Sequence, residues 1–357
     1  MSWKKIIHKT YTVEIEAPEL YVDNQARKRS GHMSHALAEF APGCFIDFNS
    51  NCSPVRLQGH SAYGWIEYRI SRDSGKTYSE IHKLPYAEQC FIDGIYVISV
   101  EKAVATGDGT IVAFCLRNDA VDPTCMEPWH TPTVVTSADE GKTWTEAVEY
   151  SPYDGRTYDA LYRDGVIYAL HKCDKNFIGS KPEHVYRLYV SRDNGKTFEE
   201  RSILPIDGIG RGYGAMIFDA DGRLHAYAYN VNAESQMDHA VSDDGGFTWT
   251  LCEPCYLALG IRNPQIACID GVYILHGRSS GLPGIPIGNK GFVFYTSENG
   301  SDWDEGSFVV DRMAIPAFYS NNLNLRDENG NFLLVQYSES YDGPRVNVKH
   351  LKLRIVR

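Results

Sequence analysis

The chain has 357 residues, with 23 tyrosines and 14 phenylalanines, and a formal charge of −11 from 35 basic and 46 acidic side chains. That length holds one large all-β domain or two smaller ones, and the acidic balance argues against nucleic acid or an anionic membrane as the main partner. No run of about 18 apolar residues is present, so no membrane-spanning helix is expected.

In chain order, Met1-Ser-Trp-Lys-Lys-Ile-Ile lacks the apolar core of a secretory leader. The expectation is a cytoplasmic protein, its nine scattered cysteines held as thiols. Tyr11–Ile15 alternates as a strand. Then a hairpin pattern begins and recurs six times, over His35–Phe48, Glu101–Arg117, Asp159–Lys172, Gly214–Asn230, Asn263–Arg278 and Ser320–Ser338. Each copy is a strand, a turn centred on Gly or Asp, and a strongly apolar strand.

A second motif alternates with the first. Ser-x-Asp-x-Gly-x-Thr-aromatic is written at Ser71–Tyr78, Ser137–Trp144, Ser191–Phe198 and Ser242–Trp249, and in worn form at Ser297–Trp303. The aspartate can accept hydrogen bonds from its own turn, and the glycine supplies positive φ. The terminal aromatic packs back into the sheet. Self-similarity at about 50 to 65 residues means blades, and a hairpin and a turn repeating in register mean a β-propeller rather than a sandwich. The last repeat has no such turn and is finished by Arg345–Ile355, with Tyr11–Ile15 as the candidate closing partner. No linker or composition shift divides the chain, so residues 1–357 are expected to form a single all-β, six-bladed propeller domain with no long helix.

The inner strands of a propeller converge on a channel, and a ligand site is expected where the loops surround its mouth. The positions that open the inner strands hold His35, Glu101, Lys102, Tyr158, Asp159, Arg211, Tyr213, Arg262, Asn263, Tyr319, Ser320 and Asn321. Those that close the second strands include His276 and Arg278.

The turns and the blade spacing resemble those of the sialidase-like propellers with Asp-box repeats, over essentially the whole chain. In that family a Tyr-Ser pair opens the last blade and the tyrosine is the nucleophile. Tyr319-Ser320 matches it, within Phe318-Tyr-Ser-Asn-Asn-Leu-Asn-Leu. His276-Gly-Arg278-Ser resembles an inner-strand arginine of the family, one blade later than its usual second arginine. Lys290 stands near the place of the third. Elsewhere the pattern departs. His32-Met-Ser-His35 replaces the family's Arg-Ile-Pro, the loop Asn49–Tyr63 offers Arg56 and His60 but no acid, and Arg211-Gly-Tyr213-Gly occupies the place of the glutamate that activates the tyrosine.

The resemblance implies a carbohydrate-active enzyme, an exo-acting glycoside hydrolase on a small glycan or glycoside, with the arginine set that holds a sialic acid carboxylate broken. Two other classes stay open: a lyase-like enzyme on uronates using His and Tyr, and a glycan-binding propeller without catalysis. Tyr319, His35 and His60 are the candidate catalytic residues, since imidazole serves as acid or base near neutrality. Arg278, Arg262, Arg211, Glu101, Asp159, Lys290 and His276 are the candidate sugar-binding residues. No cofactor is expected. Cys252-Glu-Pro-Cys255 has no second pair and His171-Lys-Cys173-Asp no second histidine at ligand spacing, so no metal is expected either.

Overall fold

A computed structural model describes residues 3–31, 35–54, 63–120, 129–174, 181–279, 291–311 and 318–357. Each predicted hairpin is the inner pair of one antiparallel sheet. The inner strands are Leu37–Ala41, Tyr96–Ala105, Gly155–Arg163, Arg211–Phe218, Arg262–Ile269 and Ser320–Asp327. Each packs against the next, and the sixth returns to the first, closing a ring of six blades. The first five blades take their strands in chain order outward from the axis. In the sixth, Arg345–Val356 pairs with Thr12–Ile15 and then Lys4–Ile7 continues the sheet, so the chain's N-terminal strands complete its last blade. Two short helices, Asn24–Arg27 and Pro85–Asp93, are present among the described residues.

The core lies between blades, in six apolar layers, because each sheet must bury both faces against its neighbours. The layer between blades three and four holds Leu170, Leu188, Met216 and Ala226. The layer between blades six and one is the smallest, with five buried members that include Phe45 and Phe332. Polar bonds reinforce that last junction: Asp47 takes Gln336 Nε2 at 2.6 Å and lies 3.0 Å from His350 Nε2.

The repeated turn joins third to fourth strand. In blade three Asp193 Oδ1 accepts from Thr197 N at 2.9 Å and Oδ2 from the Thr197 hydroxyl at 2.6 Å, while Ser191 Oγ accepts from Gly195 N at 3.0 Å. In blade four Asp244 plays this part. The hydrogen bonds to Thr143 and Thr248 lower Asp139 and Asp244 to about 2. Each turn also clamps the blade before it. A Cβ on Gly195 would lie 2.9 Å from Val112 of blade two, and one on Gly246 would lie 2.2 Å from Leu188 of blade three. The motif needs glycine for contact between blades as well as for positive φ.

Candidate active site

The leading ends of the six inner strands gather at one face, the mouth of the channel. Strict alternation would send successive side chains to opposite faces of each blade. Blades two to five break it. The pairing slips by one residue between Val100 and Lys102, between Thr157 and Asp159, between Arg211 and Gly214, and between Arg262 and Gln265. Each slip is a β-bulge, which re-aims side chains, and the bulged residues include Glu101, Tyr158, Tyr213 and Asn263. In blade six a different device serves. Phe318 takes φ of +63°, a strained conformation for a bulky residue, with its ring buried beside Phe292, and the chain turns into Tyr319.

Tyr319 Oη lies 3.1 Å from Tyr213 Oη and 3.1 Å from Arg278 Nη2, and the Arg278 guanidinium also stacks 4.4 Å from the Tyr319 ring centroid. Burial first, and then the facing Tyr319 hydroxyl, push Tyr213 far above the ordinary phenol range. Tyr213 therefore remains a phenol able to donate toward Tyr319. Beside this pair Arg156 is ion-paired with Glu101, its Nε at 2.6 Å from Oε2. Its guanidinium lies over the rings of Tyr158 and Tyr213, at 5.3 and 5.5 Å. Burial opposes the charge on Arg156, but Glu101 outweighs it. Glu101 in turn is raised above the usual 4.5, because desolvation exceeds the pull of Arg156.

A cavity of about 30 Å³ lies here, lined by His35, Glu101, Arg156, Tyr158, Asn263 and Tyr319 among others. Glu101 Oε1, Arg156 Nη1 and Arg278 Nε make no hydrogen bond among the described residues. Two cations, one carboxyl group and a pair of phenols can bind a polar ligand and move protons on it.

The structure brings Tyr319, Arg278, Glu101 and His35 together, as their strand positions imply. His60 and Lys290 lie outside the described residues. The remaining candidates go elsewhere. Asp159 sits beneath the cavity, accepting from Met216 N at 2.7 Å and lying 3.2 Å from Lys102 Nζ. His276 is fully buried between Ser320 Oγ, at 3.1 Å, and Asn322, at 2.9 Å, and burial lowers it to about 3, so it stays neutral. Arg211 is tied to Asp238 of its own blade and to the Ile209 carbonyl. Arg262 reaches Tyr229, 3.1 Å away, beside Glu234.

The repeat pattern does not single out Arg156 or Gln265. That pattern starts the third hairpin at Asp159, whereas its strand begins at Gly155, so Arg156 precedes the positions it marks. The alternation Gly-Arg-Thr-Tyr158 was its available trace.

No family model matches the chain, and no curated protein matches it. Solved structures do. A protein of unknown function from Dyadobacter fermentans DSM 18053 superposes with TM-score 0.73 at 16% identity, over 97% of this chain and 99% of that one. The Hadza microbial sialidase Hz136 gives TM-score 0.65 at 13% identity, over 94% of this chain and 68% of its own. The endosialidase of phage phi92 gives 0.66 at 8%, over 92% and 68%. At these identities the likeness establishes the six-bladed propeller fold of the sialidases.

Proposed function

We propose that the protein is a carbohydrate-active enzyme that cleaves the glycosidic bond of a small glycan or glycoside at the channel mouth, with Tyr319 as the reacting group. One observation carries the reading: the Tyr319 hydroxyl is held 3.1 Å from both a guanidinium and a second phenol, inside a cavity that also holds a carboxyl group. Tyr319 attacks the anomeric carbon as its phenolate, its proton having passed to solvent, while Arg278 and Tyr213 donate to the reacting oxygen, and hydrolysis later returns the same phenolate. Glu101, whose carboxyl group burial holds above the usual carboxylate range, gives its proton to the departing glycosidic oxygen. Its carboxylate then takes a proton from the water that releases the sugar from Tyr319. Two displacements at one carbon retain its configuration. Glu101 thus supplies the acid that the first blade's loop lacks.

A second reading, elimination from a uronate, is favoured by one feature. The partner of Tyr319 is the phenol Tyr213 rather than a carboxylate, which suits a tyrosine acting as base on a carbon-bound proton beside a carboxylate that faces Arg278 and Arg156. A third outcome is binding without turnover.

A panel of aryl glycosides and short neutral and acidic glycans separates the three. New reducing sugar without ultraviolet absorbance marks hydrolysis, absorbance of an unsaturated uronate marks elimination, and binding without either marks a lectin-like propeller. Rapid cleavage of an aryl sialoside would overturn the inference drawn from the broken arginine set. A Tyr319→Phe protein with the wild-type rate would overturn the role of Tyr319.

A further inference from the structure

Beneath the cavity the inner strands of four blades meet on one ammonium group. Lys102 follows the bulge that carries Glu101, and its Nζ contacts Gln265 of blade five, Asn321 Oδ1 of blade six at 2.8 Å, and Asp159 Oδ1 of blade three at 3.2 Å. Asp159 passes the connection to blade four through Met216 N. Lys102 is only 8% exposed. With Asn321 it borders both the mouth cavity and a chamber of about 460 Å³ on the far side of the channel, so the pair forms the floor between them.

The wiring has a direction. Asn321 lies two residues after Tyr319 on the same chain, and its Nδ2 donates to the Glu101 carbonyl at 3.3 Å. Glu101, Lys102 and Asn321 therefore close a small loop that ties the blade-two bulge to the entry of blade six. The two residues this bond joins are 220 positions apart in the sequence.

We propose that Lys102 is a positioning residue: it fixes Glu101 and Tyr319 relative to one another through Asn321, and so sets the separation of the two reacting groups. The inference rests on the reading of those two residues given above. A reacting group displaced by about 1 Å can lose on the order of 10²-fold in rate, and a bulge and a strained entry are conformations that need an outside anchor. The competing role is plain cement, in which Lys102 neutralises buried Asp159 and the rate falls only as the fold weakens.

Three variants separate the roles: Lys102→Met, Lys102→Arg, and the double variant Lys102→Met/Asp159→Asn, which removes the buried carboxylate along with its partner. Thermal unfolding, kcat and KM on the best glycoside, and crystal structures are measured for each. Lys102→Met is expected to lower kcat about 10- to 100-fold with KM within about twofold, and Lys102→Arg to recover part of that loss. The double variant should regain thermal stability without regaining kcat, and serves in place of the single variant if that one does not fold. In its crystal structure Tyr319 Oη should have left the 3.1 Å contacts with Tyr213 and Arg278. Recovery of kcat together with stability, or a Tyr319 unmoved from those contacts, overturns the proposal. If the wild type cleaves no glycan, the reading of function fails, and the position of Tyr319 in the variant crystals decides the role of Lys102 by itself.

Discussion

The outer turns and the channel mouth are built on opposite principles. The turns are copies. Asp73, Asp139, Asp193 and Asp244 make the same bonds to a threonine four residues on, and each adjoining glycine lies in the left-handed region. The mouth varies from blade to blade. Glu101, Tyr158, Tyr213 and Asn263 occupy matching bulges in successive blades, yet one is an acid, two are phenols and one an amide. Repetition stabilises the ring, because six equal wedges close it. Chemistry needs different groups facing one point, and the bulge lets each blade present its own residue without altering the wedge.

Changes at the mouth should act first on rate, and changes at the turns on stability alone. The largest effect is expected from Tyr319→Phe, which should lower kcat by about 10²- to 10⁴-fold, while thermal unfolding shows a stability change under about 1 kcal/mol. A large loss of stability in this variant would merge the two regions.

Glu101→Gln comes next, with about 10²-fold lost from kcat. Here a pH profile is the sharper test. Burial places the folded value above 4.5, so the acid form and the rate it supports are lost as pH rises through that raised value, and Gln should abolish this limb. The variant should also unfold more easily, because Arg156 keeps its charge without a carboxylate partner.

Gly246→Ala should cost about 2–4 kcal/mol in denaturant unfolding, from positive φ and from the clash with Leu188. Its kcat should stay within about twofold of wild type. A rate loss matching that of Glu101→Gln would show that the turns feed the mouth.

The smallest effect is expected from Asp139→Asn. The folded value of Asp139 is depressed to about 2, so its hydrogen bonds contribute fully above the ordinary 3.8 and are lost as pH falls toward 2. The variant should be slightly less stable at neutral pH and should show a flatter acid limb between those values. An unchanged acid limb would mean that the Thr143 bonds to Asp139 carry no net stability.

The sequence by itself determined the number of blades, the place of each inner hairpin, the closure of the last blade by the N-terminal strand and the presence of Tyr319, Arg278, Glu101 and His35 at the mouth. All of these follow from local chemistry, namely glycine turns, period-two apolar runs and the order of repeats along the chain. Tertiary structure decided the rest. One inserted residue flips every later side chain of a strand to the other face, and nothing local marks whether Asp159 or Tyr158 is the extra one. That slip sends Asp159 down to Lys102 and leaves Tyr158 at the cavity with Arg156. Arg211 and His276 found partners, Asp238 and Ser320, on strands whose alignment with their own is fixed only when the sheets pair and the ring closes. A side chain's position along its strand is written locally. Its partner depends on contacts between strands far apart in sequence, and those exist only in the assembled propeller.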